Sequence, residues 1–202
     1  MEKQDFRKQR IIEAAIEVLK ENSVENATVR KIADKAGVTT GAIYHHYRNK
    51  DELLYDVITN ALLFSKKMAE EDTLKNKDRK EIEEGVLRNI KNRLKKEEEQ
   101  KLYLVLISDA IIKGGKIYEK YGESYNESLA STEKLIEAVL GTKEGRAREI
   151  ISSMIIALLD GFAIQKSLGV LRNEEMIAEV LLNFMIAWVP DFIKTVEGGD
   201  NS

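Results

Sequence analysis

TVRKIADKAGVTTGAIYHHYRNKDELL, residues 28–54, is the stretch from which the rest of the chain can be read. The apolar spacing runs through Val29, Ile32 and Ala33, breaks at Gly37, restarts after Thr39 and restarts again after Asn49. That is two short helices joined by a tight turn, with a third following at once. Thr28 and Thr39 stand where helix N-caps belong, and Gly37 can take the positive φ that ends the first helix. Ala33, Ala36 and Gly37 are small where the two helices must cross. Ile32, Val38, Ile43 and Tyr47 are spaced to make a small core beneath the crossing. Thr39, Thr40, Ala42, Tyr44, His45 and His46 are left outward on the second helix. Short side chains and hydrogen-bonding tips suit that face to reading another surface, and a helix so mounted fits a DNA major groove.

Working outward, the 202-residue chain is 43% hydrophobic and 33% charged, with a single proline. It is long enough for one large domain or a small module on a larger one, and so few breakers predict an almost wholly helical chain. There is no cysteine, which excludes disulfides and thiolate metal sites. The longest strongly apolar run, Met154 to Leu159, is far short of the roughly 20 residues of a membrane span. The opening MEKQDFRKQR lacks the apolar segment of a secretory signal, so a cytoplasmic protein with no membrane partner is expected. The net charge of −3 divides unevenly, with ten Lys/Arg against seven Asp/Glu in residues 1–50 and 22 against 28 in residues 51–202. A basic end beside an acidic remainder suits one part to phosphate and the other to a different task, although the imbalance is small.

A first helix is expected from about Asp5 to Glu21, with Phe6, Ile11, Ala15, Val18 and Leu19 toward the core. Asn49 and Glu52 form a capping-box pattern for a long helix that carries Leu53, Leu54, Val57, Ile58 and Leu62 and runs toward the charged segment Glu70 to Asp78. Further helices are expected near 79–98, 101–113, 116–140, 144–169 and 174–196, with breaks at Gly114-Gly115, Gly141 and Gly169. The chain is therefore expected to be all-α. It would have a three-helix helix-turn-helix domain over 1–50, a larger helical bundle over 51–202, and about nine helices.

The first 55 or so residues resemble the DNA-binding domain of the TetR/AcrR family of bacterial regulators. The residues that carry the resemblance are Thr28, Ile32, Ala33, Ala36, Gly37, Val38, Gly41, Tyr44, Tyr47, Lys50 and Leu53. Tyr47 replaces a commoner phenylalanine, and Asn22-Ser23 replaces the glycine that often closes the first helix. The resemblance implies a double-stranded operator as partner. Thr28 would offer its hydroxyl and its helix's positive end to one phosphate, Tyr44 its phenol to another, and Lys50 its charge to a third. Thr39, Thr40, Gly41, Ala42 and His45 would lie along the bases, with Arg7 or Arg10 reaching the backbone or minor groove. Short residues there supply few bidentate contacts, so DNA shape and phosphate register are expected to share in specificity. His45 and His46 as a metal pair is disfavoured, because adjacent helical residues point about 100° apart and no third ligand is near. No metal or cofactor is expected.

Toward the C-terminus, Ile177, Val180, Leu181, Phe184, Met185, Trp188, Val189, Phe192 and Ile193 paint one stripe. The preceding helix, 150–168, is apolar nearly all round. A helix apolar on every side must be covered on every side. Ile151, Met154, Leu158, Phe184 and Trp188 are therefore expected at a homodimer interface, a four-helix bundle of isologous symmetry, as in proteins of the resembled family. Tyr118, Tyr121 and Tyr125 share one helix face, and with Tyr103, Phe162 and Gln165 they are candidates to line a site for a small organic effector. Such a stripe is more often core or interface. Asp109 and Asp160, if buried, would suit a cation, although a satisfied hydrogen bond is the commoner fate. The reading that results is a ligand-responsive transcriptional repressor that is not an enzyme. The alternative is a DNA-independent co-regulator on the same fold. No nucleophile–base pair or phosphate loop is present to support catalysis.

Overall fold

The structure is a computed structural model that describes residues 2–57, 59, 69–70, 74–141 and 145–198. Every described element is a helix, and the fold is all-α. In chain order these are α1 (Glu2–Glu21), α2 (Val29–Ala36), α3 (Thr40–His46), α4 (50–57), α5 (Arg79–Lys95), α6 (Glu97–Lys113), α7 (Gly115–Leu140), α8 (Arg146–Ser167) and α9 (Glu174–Gly198). The expected places for Ile58 and Leu62 lie outside the described residues. Most of the α4 connection does too.

Packing groups the chain into two compact units. One comprises residues 1–62 and 98–124, the other residues 63–97 and 125–202. The expected domain boundary lay after residue 50. In packing, the first unit's core continues through Leu53, Leu54 and Val57 of α4 into Leu102, Tyr103, Leu106 and Ala110 of α6 and Tyr121 of α7.

Within the first unit, Ile11, Ile32, Ile43 and Leu53 are almost fully buried and lock α1, α2, α3 and α4 around one centre. Val38 is partly buried against the same cluster. Phe6 breaks the expected pattern, being 66% exposed.

In the second unit Ile90 and Leu94 of α5, Ile136 of α7, Ala147, Ile151 and Ile155 of α8, and Ala178, Leu181, Met185, Val189 and Ile193 of α9 form the main cluster. Ala69, Ile82, Leu135 and Val139 form a smaller one. Asp78 opens α5 with a reciprocal capping box, accepting from the Glu81 amide at 2.8 Å while Glu81 accepts from the Asp78 amide at 2.9 Å.

The break expected between residues 98 and 101 instead falls at Lys96, where α5 ends and α6 follows at once. The segment Glu174–Ile193 of α9, although interrupted by polar residues, is long and apolar enough by length and composition to cross a membrane. One face of it lies in the second unit's core, while Met176, Val180, Phe184, Trp188 and Phe192 are exposed.

Candidate nucleic-acid interface

The reading helix α3 is set by its caps. Thr39 adopts an extended φ of −81° and ψ of 155°, and its hydroxyl accepts from the Ala42 amide at 3.1 Å. Thr28 does the same for α2, accepting from the Lys31 amide at 3.3 Å. Each hydroxyl keeps its own hydrogen as a donor. Gly37 ends α2 in the left-handed region at φ 63°, and the Val38 amide donates to the Ala33 carbonyl at 3.0 Å, turning the chain sharply into α3. Arg10 reaches across from α1 and donates to the Ala36 carbonyl at 2.6 Å. Arg10 thus completes the end of α2, while Arg7 is exposed.

The outward face follows the expectation except at Ala42 and His46. Thr28, Thr39, Thr40, Gly41, Tyr44 and His45 are exposed, Tyr44 at 55%. Ala42 and His46 are half-buried, and Ile43 and Tyr47 point inward. The His45 and His46 rings meet edge to face with centroids 5.5 Å apart. Partial burial pushes the His46 imidazole below its ordinary value, and His45, Lys8 and Arg7 push the same way. Tyr47 is buried near Asp56, and both burial and that carboxylate hold its phenol protonated. Lys8 pairs with the same Asp56 at 2.6 Å.

The start of α4 carries the expected capping pattern with one change of partner. Asn49 accepts from the Glu52 amide at 2.9 Å, and Glu52 accepts from the amide of Arg48, one residue before the cap, at 2.8 Å. That backbone bond holds the Glu52 carboxyl below its usual range. Lys50 has a job that the sequence did not disclose. Its ammonium donates to the carbonyl of Val24 and, at 3.5 Å, to that of Glu25, clamping the α1–α2 connection. Burial there lowers its pKa, and Lys113 adds to the effect.

The six residues expected around an effector are divided between the two units. In the first, Tyr103 and Tyr121 are buried and Tyr118 is exposed. Tyr121 packs on Tyr55 with centroids 5.5 Å apart, and Lys120 lies 5.3 Å over the Tyr55 ring. In the second, Phe162 is half-buried and Gln165 is exposed. The Tyr125 phenol donates to Asp160 at 3.0 Å, and Arg93 donates to the other oxygen of that carboxylate at 2.5 Å. Burial and Asp160 push the Tyr125 phenol up to about 12. Asp160 is therefore hydrogen-bonded on both oxygens, and Asp109 pairs with Lys113 at 2.8 Å. Among the described residues no group of three or more His, Cys, Asp or Glu side chains is placed to hold a metal ion.

Of the residues expected at a subunit interface, Met154, Leu158, Phe184 and Trp188 are exposed, Trp188 at 67%. Phe184 and Trp188 stack with their planes 18° apart. Ile151 is instead only 4% exposed and belongs to the internal core, while its neighbour Ile150 faces out. Val180 and Phe192, named in the stripe but not in the interface set, are exposed as well, and so is Met176, which the sequence reading left out. They share a step of four residues through 176, 180, 184, 188 and 192.

These features define a helix-turn-helix protein with a second, helical unit. The profile of bacterial regulatory proteins of the tetR family matches residues 11–57. The transcriptional regulator SrpR of Pseudomonas putida is 49% identical over 53 residues, 26% of this chain and 25% of SrpR. The fatty acid metabolism regulator protein of Bacillus subtilis is 42% identical over 60 residues, 30% of this chain and 28% of that protein. The match thus spans about a quarter of the length of these relatives, all of it at the reading head. Over nearly the whole chain the fold is that of FadR from Bacillus subtilis, whose crystal structure holds stearoyl-CoA. That structure has a TM-score of 0.70 at 19% identity, over 89% of this chain and 97% of that one. NalD of Pseudomonas aeruginosa, the secondary repressor of a multidrug efflux pump, gives a TM-score of 0.64 at 22% identity, over 90% and 96%. Residues 11–57 are thus a reading head of the tetR-family type, on a fold shared with these regulators.

Proposed function

We propose that this chain is a cytoplasmic transcriptional repressor that binds a palindromic operator as a homodimer and is released by a small organic effector. The observation that carries the reading is the α3 face, where Thr39, Thr40, Gly41, Tyr44 and His45 stand exposed on a helix fixed by two threonine caps and a left-handed glycine. Thr28 and Tyr44 supply phosphate contacts at the two edges of that face, and the short residues between them approach the bases. One head of this size makes too few contacts for useful affinity, and two heads on one frame supply them at one helical turn or more of separation. The exposed row through Met154, Leu158, Val180, Phe184 and Trp188 supports such a pairing, since an apolar surface of that length is seldom left in water. Release follows if an effector prefers a conformation with the heads wrongly spaced, because the coupling is reciprocal. FadR's stearoyl-CoA and NalD's link to drug efflux favour a lipophilic effector here.

Gel-shift selection from a random duplex pool, repeated across salt, tests the reading. Enrichment of an inverted repeat is the expected result. Failure to bind any duplex at low ionic strength would leave the DNA-independent co-regulator in its place.

A further inference from the structure

We propose that the reading head takes up protons as it closes on a duplex, through the paired imidazoles of His45 and His46, so that DNA affinity rises as pH falls. The inference rests on the DNA-binding reading above and adds a control that this reading does not contain.

The geometry is specific. The two histidines, the only ones in the chain, stand side by side in the last turn of α3 with rings 5.5 Å apart. His45 is exposed on the face assigned to the bases, and His46 is half-buried at its edge. The charges around His46 come from three elements. Lys8 and Arg7 lie on α1, and His45 is on α3 itself. Asp56 of α4 is already held by Lys8 at 2.6 Å, and the neighbouring Tyr47 ring is kept neutral by burial. Without DNA, burial and the cationic setting therefore both disfavour a proton on His46.

A duplex reverses the sign of that setting. Phosphates brought against α3 and the N-terminus of α1 neutralise Lys8 and Arg7 and add negative potential at both rings, which favours the imidazolium form. A proton taken up on binding makes the association constant fall with rising pH, by up to tenfold per pH unit for each proton. Histidine is the side chain whose ordinary value places this change between pH 5 and 8. The effect would act on any sequence, since it runs through phosphate and not through base edges.

The test titrates the full-length protein with a mixed-sequence oligonucleotide duplex at constant ionic strength from pH 8 to pH 6. The wild type is expected to bind about three- to tenfold more tightly per unit of acidification. The double variant His45→Gln, His46→Gln should show a much flatter slope of log affinity against pH, the slope and not the affinity being the quantity compared. The α-amino group, which titrates near 8, is common to both proteins and cancels in the comparison. Calorimetry of the wild type in two buffers of different ionisation enthalpy gives a readout that needs no variant, since proton uptake makes the observed heat buffer-dependent. A pH-flat wild type, a double variant that keeps the full slope, or buffer-independent heats at pH 7 would each overturn the inference while leaving DNA binding intact. Absence of binding at every pH would overturn the DNA reading together with it.

Discussion

Gly37 closes α2 at φ 63°, and a Cβ there would lie 3.3 Å from Arg10 Nη2, the group that holds the Ala36 carbonyl. Gly37→Ala therefore combines a disfavoured backbone with crowding of a bonded guanidinium. It should lower stability by about 1–2 kcal/mol, read as the midpoint of thermal unfolding. A midpoint unchanged within error would mean that the turn relaxes freely. Lys50 is the residue at which sequence and structure differ most usefully. Its ammonium is held by two carbonyls of the α1–α2 connection, yet an ammonium has three hydrogens and one remains to meet a phosphate. Lys50→Ala should cost about 1 kcal/mol of stability from the lost bonds. It should also flatten the log–log salt dependence of DNA binding by about 0.9 for each phosphate contact removed. An unaltered slope with lowered stability would make Lys50 a clamp alone.

Among the elements, α9 shows what a helix of mixed allegiance looks like. Leu181, Met185 and Val189 are buried in their own unit, while Val180, Phe184 and Trp188 alternate with them on the open side. The two faces predict opposite responses to substitution. Leu181→Ala opens a cavity and should cost about 2–5 kcal/mol in the folded protomer. Trp188→Glu touches no core and should leave helical content unchanged while giving a monomer in sedimentation, where the proposed interface predicts a dimer for the wild type, and abolishing the proposed operator binding. A Trp188→Glu protein that still sedimented as a dimer would move the interface elsewhere. Periodicity told that α8 was apolar nearly all round and that α9 carried one broad stripe. It could not tell which residues their own unit covers, and so Ile151 of α8 was assigned outward when packing puts Ile150 there.

At the scale of the whole molecule, acidity acts on stability and on DNA binding in opposite directions. His46 has its folded pKa pushed below the ordinary value, so between that value and the lower folded one the unfolded chain binds more protons. Stability therefore falls as pH drops below about 6.5. Glu52 adds a loss of the same sign at lower pH, since its folded carboxyl also lies below its unfolded value. The unbound protein should accordingly melt earlier at pH 5.5 than at pH 7.5, with His46→Gln reducing the difference. A melting midpoint independent of pH across that range would remove the basis for the His46 shift.

The local sequence determined the reading head almost completely, because every device there acts within a few residues of its own position. Thr28, Gly37, Thr39 and the Asn49–Glu52 pair form caps and turns by bonding to backbone three or four positions away. Only tertiary structure decided the rest. Residues 98–124 join the first unit's core, Lys50 bonds the carbonyl of Val24 26 positions earlier, and Asp160 is shared by Arg93 and Tyr125. Periodicity identifies a face that must be covered and says nothing of its cover. That choice is made by packing between elements distant in sequence.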